Sequence, residues 1–407
     1  MIVGAGLSGL SCALTLHQAG IPFQLLEASN AVGGRVRSDN VDGFTLDRGF
    51  QVYLSAYPAA GKLLDTEALQ LHRFEPGALV FDGKKCHRVM DVFRRPTSLV
   101  TSALAPIGSM LDKLRVAKLR WQLSHQSETK IAHSPDQSTD SFLRAFGFSP
   151  RMIDSFFRCF YGGIFLENAL DTSSRMFAFT FKMFTQGHAT LPANGMGAIP
   201  AQLAANLPNK SIRTDTPVAS VSTTSVTLAD GSELQARAVV IATAAHHAAQ
   251  WLPQLQAPEW RATTNLYFSA PTSPIQEAII ALNGSGHGSI NSVCVPSDVC
   301  PHYAPSGSSL ISVTLLGDQN QDTLIDSVLE ELSHWFGPEV NQWHHLRTDS
   351  IPHALPTQNA NQSPSPNQID GIYLCGDHTH SASIEGAIRS GIETAESFIH
   401  YHTSTHS

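Results

Sequence analysis

The spacing Gly4-x-Gly6-x-x-Gly9 limits what this chain of 407 residues can fold into more than any other feature. It follows an apolar strand end, Met1–Val3, and opens a segment from Leu10 to Ala19 that reads as a helix stopped at Gly20, with Pro22 beyond it. Phe23–Leu26 then forms a second apolar strand, ending at Glu27. Strand, glycine turn, helix and strand within about thirty residues make a β-α-β unit, which commits the chain to a parallel sheet. In such a unit Gly4 permits the tight turn, Gly6 lets the backbone approach a pyrophosphate, and Gly9 allows close packing of helix on strand. Leu7 and Ser8 belong to the same turn, where unpaired N–H groups and the helix dipole favour a phosphate. Glu27, with Ala28 after it, stands near the offset at which an acid bonds a ribose hydroxyl. The pattern predicts dinucleotide binding.

Only Met1–Val3 precede the glycines, fewer than the roughly 5–6 residues of an ordinary strand. Either the innermost strand is truncated or the start lies a few codons late; the motif itself is intact.

The length calls for two domains rather than one. With 42% hydrophobic and 15% charged residues, the composition is that of an ordinary globular protein. The net charge of −8 is uneven, because residues 1–120 carry 14 Lys/Arg against 10 Asp/Glu and no lysine follows Lys210. Such acidity excludes a general nucleic-acid footprint. No apolar run approaches the roughly 18 residues of a membrane span, and the N-terminus lacks the pattern of a secretory signal. The cysteines at positions 12, 86, 159, 294, 300 and 375 show no CxxC pairing, so a reducing compartment, the cytoplasm, is expected.

Helical periodicity dominates residues 55–190, as in Met110–Leu123, Ser141–Phe146 and Pro150–Phe160. Short strands return between Ile212 and Thr243, residues 262–316 look β-rich, and Leu324–Phe336 reads as a helix. The polar stretch Gln358–Gln368 is a surface loop, followed by a strand at Gly371–Cys375 and a final helix from about Ser383 to His400.

Gly33-Gly34-Arg35, a short step after Glu27, adds a second close backbone approach to a diphosphate and a guanidinium for charge-assisted bonds, favouring FAD over NAD. Together, Gly4–Gly9, Glu27, Gly33-Gly34-Arg35 and Cys375-Gly376-Asp377 resemble the FAD-binding signature of the flavin amine oxidase superfamily. That group includes amine oxidases, protoporphyrinogen oxidase and phytoene desaturase-like enzymes. The likeness covers about 50 residues at the start and about 35 at the end, with patches at Leu191 to Pro200 and Val239 to Thr243.

The resemblance implies further roles. Val218 would meet the adenine through its backbone, and Ala242 and Thr243 would lie where the chain leaves the first domain beside the cofactor. Gly376 would let the backbone pass close, while Asp377 would accept bonds from the ribityl or pyrophosphate side. Ile384 and Glu385 would open the last helix, whose positive end would face the flavin. In Phe44–Gln51, Gly49 would permit a close approach and Arg48 would meet a flavin edge or a substrate acid; a plain hairpin burying Leu46 and Phe50 is the alternative. The implied fold is α/β, with a Rossmann-type FAD-binding domain assembled from segments 1–75, 190–245 and 350–407. A mixed helical and β-sheet substrate domain would comprise 76–189 and 246–349.

Two departures narrow the reaction. The lysine that many amine oxidases supply from the β-rich region is missing, as is the covalent-flavin cysteine pattern. The expectation is therefore hydride transfer to FAD from an organic small molecule, desaturase-like or porphyrinogen-oxidase-like. An amine oxidase, a non-redox flavin-dependent isomerase and a partner-binding platform are the alternatives. No side chain announces itself as a catalytic base. The aromatic run from Phe156 to Phe184 reads first as core, and alternatively as a lining for a bulky apolar substrate. His378-x-His380 has no carboxylate at ligand spacing, so no metal is expected. The basic helix around Lys113, Arg115, Lys118 and Arg120 reads as a solvated face, with peripheral membrane contact as the alternative.

Overall fold

The computed structural model describes residues 1–98, 105–319 and 322–404. Its first sheet is fed by three well-separated stretches of chain. Ile212–Arg213, Leu25–Leu26, Ile2–Val3, Val240–Ile241 and Ile372–Leu374 lie side by side, all parallel, and Gln368–Ile369 closes one edge antiparallel. Ile2 pairs with Leu25 on one side and with Val240 on the other, so the short opening strand is central.

The alternation of strand side chains explains how both faces are covered. Ile2, Leu25, Val240 and Tyr373 point into a core shared with the helix Leu7–Gln18 and the last helix, Ile384–Ser404. Val3, Leu26, Ile241 and Leu374 point the other way, onto an antiparallel sheet of Val218–Val221, Ser225–Leu228 and Glu233–Gln235 and the helix Ala245–Trp251. The two long helices press together at Gly391, where a Cβ would stand 2.2 Å from the Ser8 carbonyl oxygen.

A second sheet has seven strands, in the order His344–Pro356, Trp260–Ala270, Ser309–Leu316, Ile290–Cys294, Ile280–Asn283, Gly77–Phe81 and Cys86–Met90. The helix Leu324–Phe336 seals one face, contributing Leu324, Val328 and Leu332. Two features differ from the sequence reading. Gly77–Phe81 and Cys86–Met90 form a hairpin inside the stretch read as helical. Its turn carries a local signal, Asp82-Gly83 after an apolar run, with the Asp82 carboxylate accepting from the Lys84 and Lys85 amides. Strand His344–Pro356 also stays in this sheet across the boundary expected at residue 350.

The helices between residues 110 and 186 build a phenylalanine-rich core of their own, in which Phe157, Phe165 and Phe177 are fully buried. Pro150–Phe160 is not one regular helix: a single turn at Pro150–Met152 leads into a π-helical turn, Ile153–Phe157, and then the helix Arg158–Phe165. No helix among the described residues is long and apolar enough to cross a membrane.

Candidate functional site

The glycine turn lies at the C-terminal ends of the parallel strands, the crevice where open α/β sheets bind ligands. Gly4 has φ +105°, and a Cβ there would press on the Ala242 carbonyl oxygen at 3.0 Å and on Thr243 at 3.2 Å. A Cβ on Gly9 would stand 2.0 Å from the Gly4 carbonyl oxygen. Gly6 is the exception: it is extended, with φ −72°, and a Cβ there would meet nothing within 4 Å. The helix that begins at Leu7 has no side-chain cap and no acid in its first turn, so its N–H groups are free to meet an anion.

Glu27 reaches back over this turn. Its Oε2 accepts from the Ala5 amide at 2.7 Å, and its Oε1 accepts from Ser29 N and Oγ at 2.9 and 2.7 Å. Ala28, between them, is exposed. The Thr216 amide donates to the Glu27 carbonyl at 2.9 Å, which brings the strand beginning at Val218 alongside. Gly33 bridges to Gly6 and donates its amide to the Ala5 carbonyl at 2.8 Å, while a Cβ on Gly34 would touch Gly6 Cα at 3.4 Å.

The two ends of the chain meet at Arg35. Its Nη2 donates to Asp377 Oδ1 at 2.8 Å, a pair separated by 342 positions, and its Nη1 donates to the Ala354 carbonyl at 3.0 Å. Asp377 is buried, and Gly376 donates its amide to Ser390 Oγ of the last helix at 2.9 Å. Gln51 ties the Gly49 loop to this point, donating to the carbonyls of Arg35 and Arg48, both at 3.0 Å. Gly49, at φ +79°, faces Ile351, 2.7 Å from where its Cβ would be.

Three assignments need correction or refinement. Arg48 forks onto Asp39 at 3.1 and 3.2 Å on the surface, and the expected Phe44–Asp47 hairpin forms with Leu46 buried but Phe50 only half-buried. Ile384 does open the last helix, followed in its first turn by the carboxylate of Glu385. It accepts from the amides of Ala59 and Ala60 and from Arg389, so its side chain caps another helix, Ala60–Leu63. The third is Arg35 itself, whose guanidinium is engaged by Asp377 as well as poised at the glycine pair.

Sequence reasoning missed an aromatic group beside Arg35. The guanidinium lies over the Trp260 ring at 5.2 Å, and Trp260 meets His246 and His353 edge-on, these two stacked at 4.1 Å. Trp260 Nε1, His246 Nδ1, Thr243 Oγ1 and both ring nitrogens of His378 are buried without a hydrogen-bond partner in the protein. Burial, reinforced by His247, His353 and Arg35, lowers the His246 pKa to about 4, which keeps it neutral at pH 7. Orphaned donors and acceptors around an open glycine and a free helix N-terminus fit a large polar ligand. Only adjacency in space could have revealed this group.

His378 packs under Gly376, and His380 is exposed. Among the described residues the donors of His72, Cys300 and His302 lie within 4.8 Å of one another, a grouping the sequence spacing had not suggested.

Asp47, on the hairpin behind Arg35, is buried and accepts from Ser38 Oγ at 2.5 Å, Met196 N at 2.9 Å and Tyr303 Oη at 2.9 Å. Desolvation outweighs these bonds and raises its pKa to about 6. The folded state therefore holds this proton between about pH 4 and 6 where the unfolded state has lost it, so its penalty is full above pH 6 and vanishes as pH falls through the window. Asp47→Asn is expected to raise stability at pH 8 by up to about 3 kcal/mol and to change it little at pH 4. Urea melts at the two pH values check this; equal effects at both would refute the buried-carboxylate account.

Residues 7–399 match the family described as flavin containing amine oxidoreductase. The chain is 24% identical to hydroxysqualene dehydroxylase from Rhodopseudomonas palustris over 97% of both proteins. It is 28% identical to protoporphyrinogen oxidase 2 of Arabidopsis thaliana, over 50% of this chain and 39% of that one, so this match spans well under half of the relative's length. Its fold is similar to an oxidoreductase from Methanosarcina mazei, with TM-score 0.76 and 17% identity over 97% and 99% of the chains. Cyclohexylamine oxidase from Brevibacterium oxydans is similar at TM-score 0.67 and 16% identity over 97% of each. The chain belongs to the flavin-containing amine oxidoreductase family.

Proposed function

We propose that the chain binds FAD noncovalently in a Rossmann-type domain assembled from its three separated segments and oxidises a bulky, apolar organic molecule. In this reading Gly4, Gly6, Gly9 and Gly33-Gly34 cradle the diphosphate, Glu27 holds the adenosine ribose, and Asp377 receives the ribityl arm. The adenine lies against Val218. The observation that carries the reading is the Arg35–Asp377 pair, which joins both ends of the chain next to the Gly33-Gly34 segment that lies against Gly6, the glycine of the turn with open space. Bound FAD supplies a hydride acceptor at N5. Neutral His246, Trp260 and Thr243 supply unspent polar groups that orient the ligand without adding charge.

The apolar substrate class rests on aromatic side chains left half-buried between the two halves. Phe179 stacks on Tyr57 at 6.4 Å, and Phe184 packs on Phe160 at 5.3 Å. Both phenylalanines pack against the core beneath the parallel sheet, and Phe179 also touches the helical core. Their exposed edges offer contact to a large hydrocarbon surface. The strands of the seven-stranded sheet carry no lysine there, which weighs against the amine oxidase alternative. The hydroxysqualene dehydroxylase and phytoene desaturase relatives, aligned over nearly the whole chain, support an isoprenoid-like substrate.

The test is anaerobic addition of hydroxylated isoprenoids, polyenes, porphyrinogens and amines to FAD-loaded protein. Stable bleaching of the visible flavin band with the first three classes is expected. Bleaching by amines alone, or conversion of substrate without bleaching, would replace the proposal with an amine oxidase or an isomerase.

A further inference from the structure

The helix Met110–Ser124 shows solvent a face that a water-soluble surface has no use for. Among the described residues, the large apolar side chains more than half exposed are Phe93 (57%), Met110 (60%), Leu111 (62%), Leu114 (63%), Trp121 (65%) and Tyr401 (62%). Four of them are on this one helix, and Phe93 joins it through the Arg120 guanidinium, which lies 5.1 Å over its ring. At 3.6 residues per turn, Met110, Leu114 and Trp121 fall within a narrow stripe, with Leu111 and Lys118 on its flank. The stripe points directly away from the buried side formed by Asp112, Leu119 and Leu123. It runs for about 16 Å along the axis.

This helix is held firmly. Ser109 and Asp112 form a reciprocal cap at its start, and the buried Asp112 also accepts from Ser149 N at 2.8 Å and Ser149 Oγ at 2.6 Å. Arg120 pairs with Asp91 on one side. The exposed stripe is therefore a fixed surface, not a frayed end. Lys118 and Lys113 flank it on either side, at roughly 60° and 80° from its centre. Arg120 and Arg115 stand further round and pair with Asp91 and Asp112, and the helix's one acid, Asp112, is fully buried.

We propose that this face is a membrane-docking surface that seats the helix, side-on, at the interface of an anionic phospholipid bilayer. Leucine, methionine and tryptophan on the outward face with a lysine and arginine fringe is the composition of an interfacial helix. A protein partner is the poorer fit, because lysine is depleted from the cores of protein interfaces. The lysines favour the negative lipid surface, and the apolar stripe enters the boundary between headgroups and acyl chains. The helix packs directly on Ser174–Gln186, which carries Phe179 and Phe184, so docking would bring the aromatic region close to the bilayer. The inference itself does not depend on which molecule is oxidised.

The experiment is co-sedimentation of the FAD-loaded protein with vesicles of phosphatidylcholine alone or mixed with phosphatidylglycerol. Binding to the mixed vesicles, weakened but not abolished by salt, is expected. The double variant Leu114→Gln/Trp121→Gln, with unchanged circular dichroism and flavin content, should bind at least about tenfold less. Lys118→Gln should lose about fivefold on anionic vesicles and little on neutral ones. A Leu114→Cys variant carrying a polarity-sensitive dye should report entry into an apolar phase on vesicle addition. The proposal is overturned if neither vesicle binds the protein at low salt, or if the double variant binds like the parent. Concentration-dependent dimerisation without lipid that the double variant abolishes would overturn it too, assigning the face to a second copy.

Discussion

Gly6→Ala is expected to give a folded protein that has lost its flavin, whereas Gly9→Ala is expected to lose the fold. The two glycines are three residues apart and their surroundings are opposite. Gly6 has ordinary extended backbone angles, and a methyl group there meets no protein atom within 4 Å. The change in stability should stay within about 0.5 kcal/mol. In the proposed complex, however, the methyl occupies the path by which the backbone approaches the diphosphate, and affinity should fall at least about a hundredfold. At Gly9 the added carbon lies 2.0 Å from the Gly4 carbonyl oxygen, between helix and central strand. Relief requires moving the helix off the sheet, at a cost above about 4 kcal/mol. Thermal melts of both variants, with FAD titration followed by flavin fluorescence, separate the two effects. Parental FAD affinity in Gly6→Ala would mean that the turn is not the phosphate cradle.

Glu385→Ala should be strongly destabilising although it lies outside the glycine turn. The carboxylate is 1% exposed and holds three groups at once: the Ala59 amide at 2.8 Å, the Ala60 amide at 3.0 Å and Arg389 Nη2 at 2.8 Å. Removal strands two buried amides and leaves Arg389 with only Glu128, at 2.8 Å, as a partner. The expected loss is about 2–4 kcal/mol, because two buried amides lose their acceptor while Arg389 keeps one carboxylate. Denaturant melts measure it. The resemblance had put Glu385 at the cofactor, and the same variant tests that assignment. FAD affinity of the folded fraction should drop only modestly; a large drop with unchanged stability would return Glu385 to the binding site.

The sites of successful and failed reading differ in one respect, the distance along the chain over which the deciding interaction acts. Leu324–Phe336 emerges with the expected limits because its apolar spacing and the following Gly337 are contained in the segment. The glycine turn and Glu27 are likewise a local unit, with Ala5 and Glu27 22 positions apart. The hairpin at Gly77–Met90 was readable from Asp82-Gly83, but its place in a sheet depends on Ile280–Asn283, some two hundred residues later. Glu385 shows the same limit in a side chain: the Ala59 amide it meets lies 326 positions away, whereas Arg48 finds Asp39 within its own hairpin, 9 positions away.

The sequence by itself determined the family, the parallel β-α-β start and the residue types that can approach a diphosphate. Those follow from backbone sterics and helix-end polarity, which act within a few turns of chain. Tertiary structure alone decided that Arg35 meets Asp377, that Trp260 and His246 stand beside them, and that Met110, Leu114 and Trp121 face outward together. These contacts are made by surfaces that exist only after distant elements pack, and packing is set by the shape and burial of the whole core.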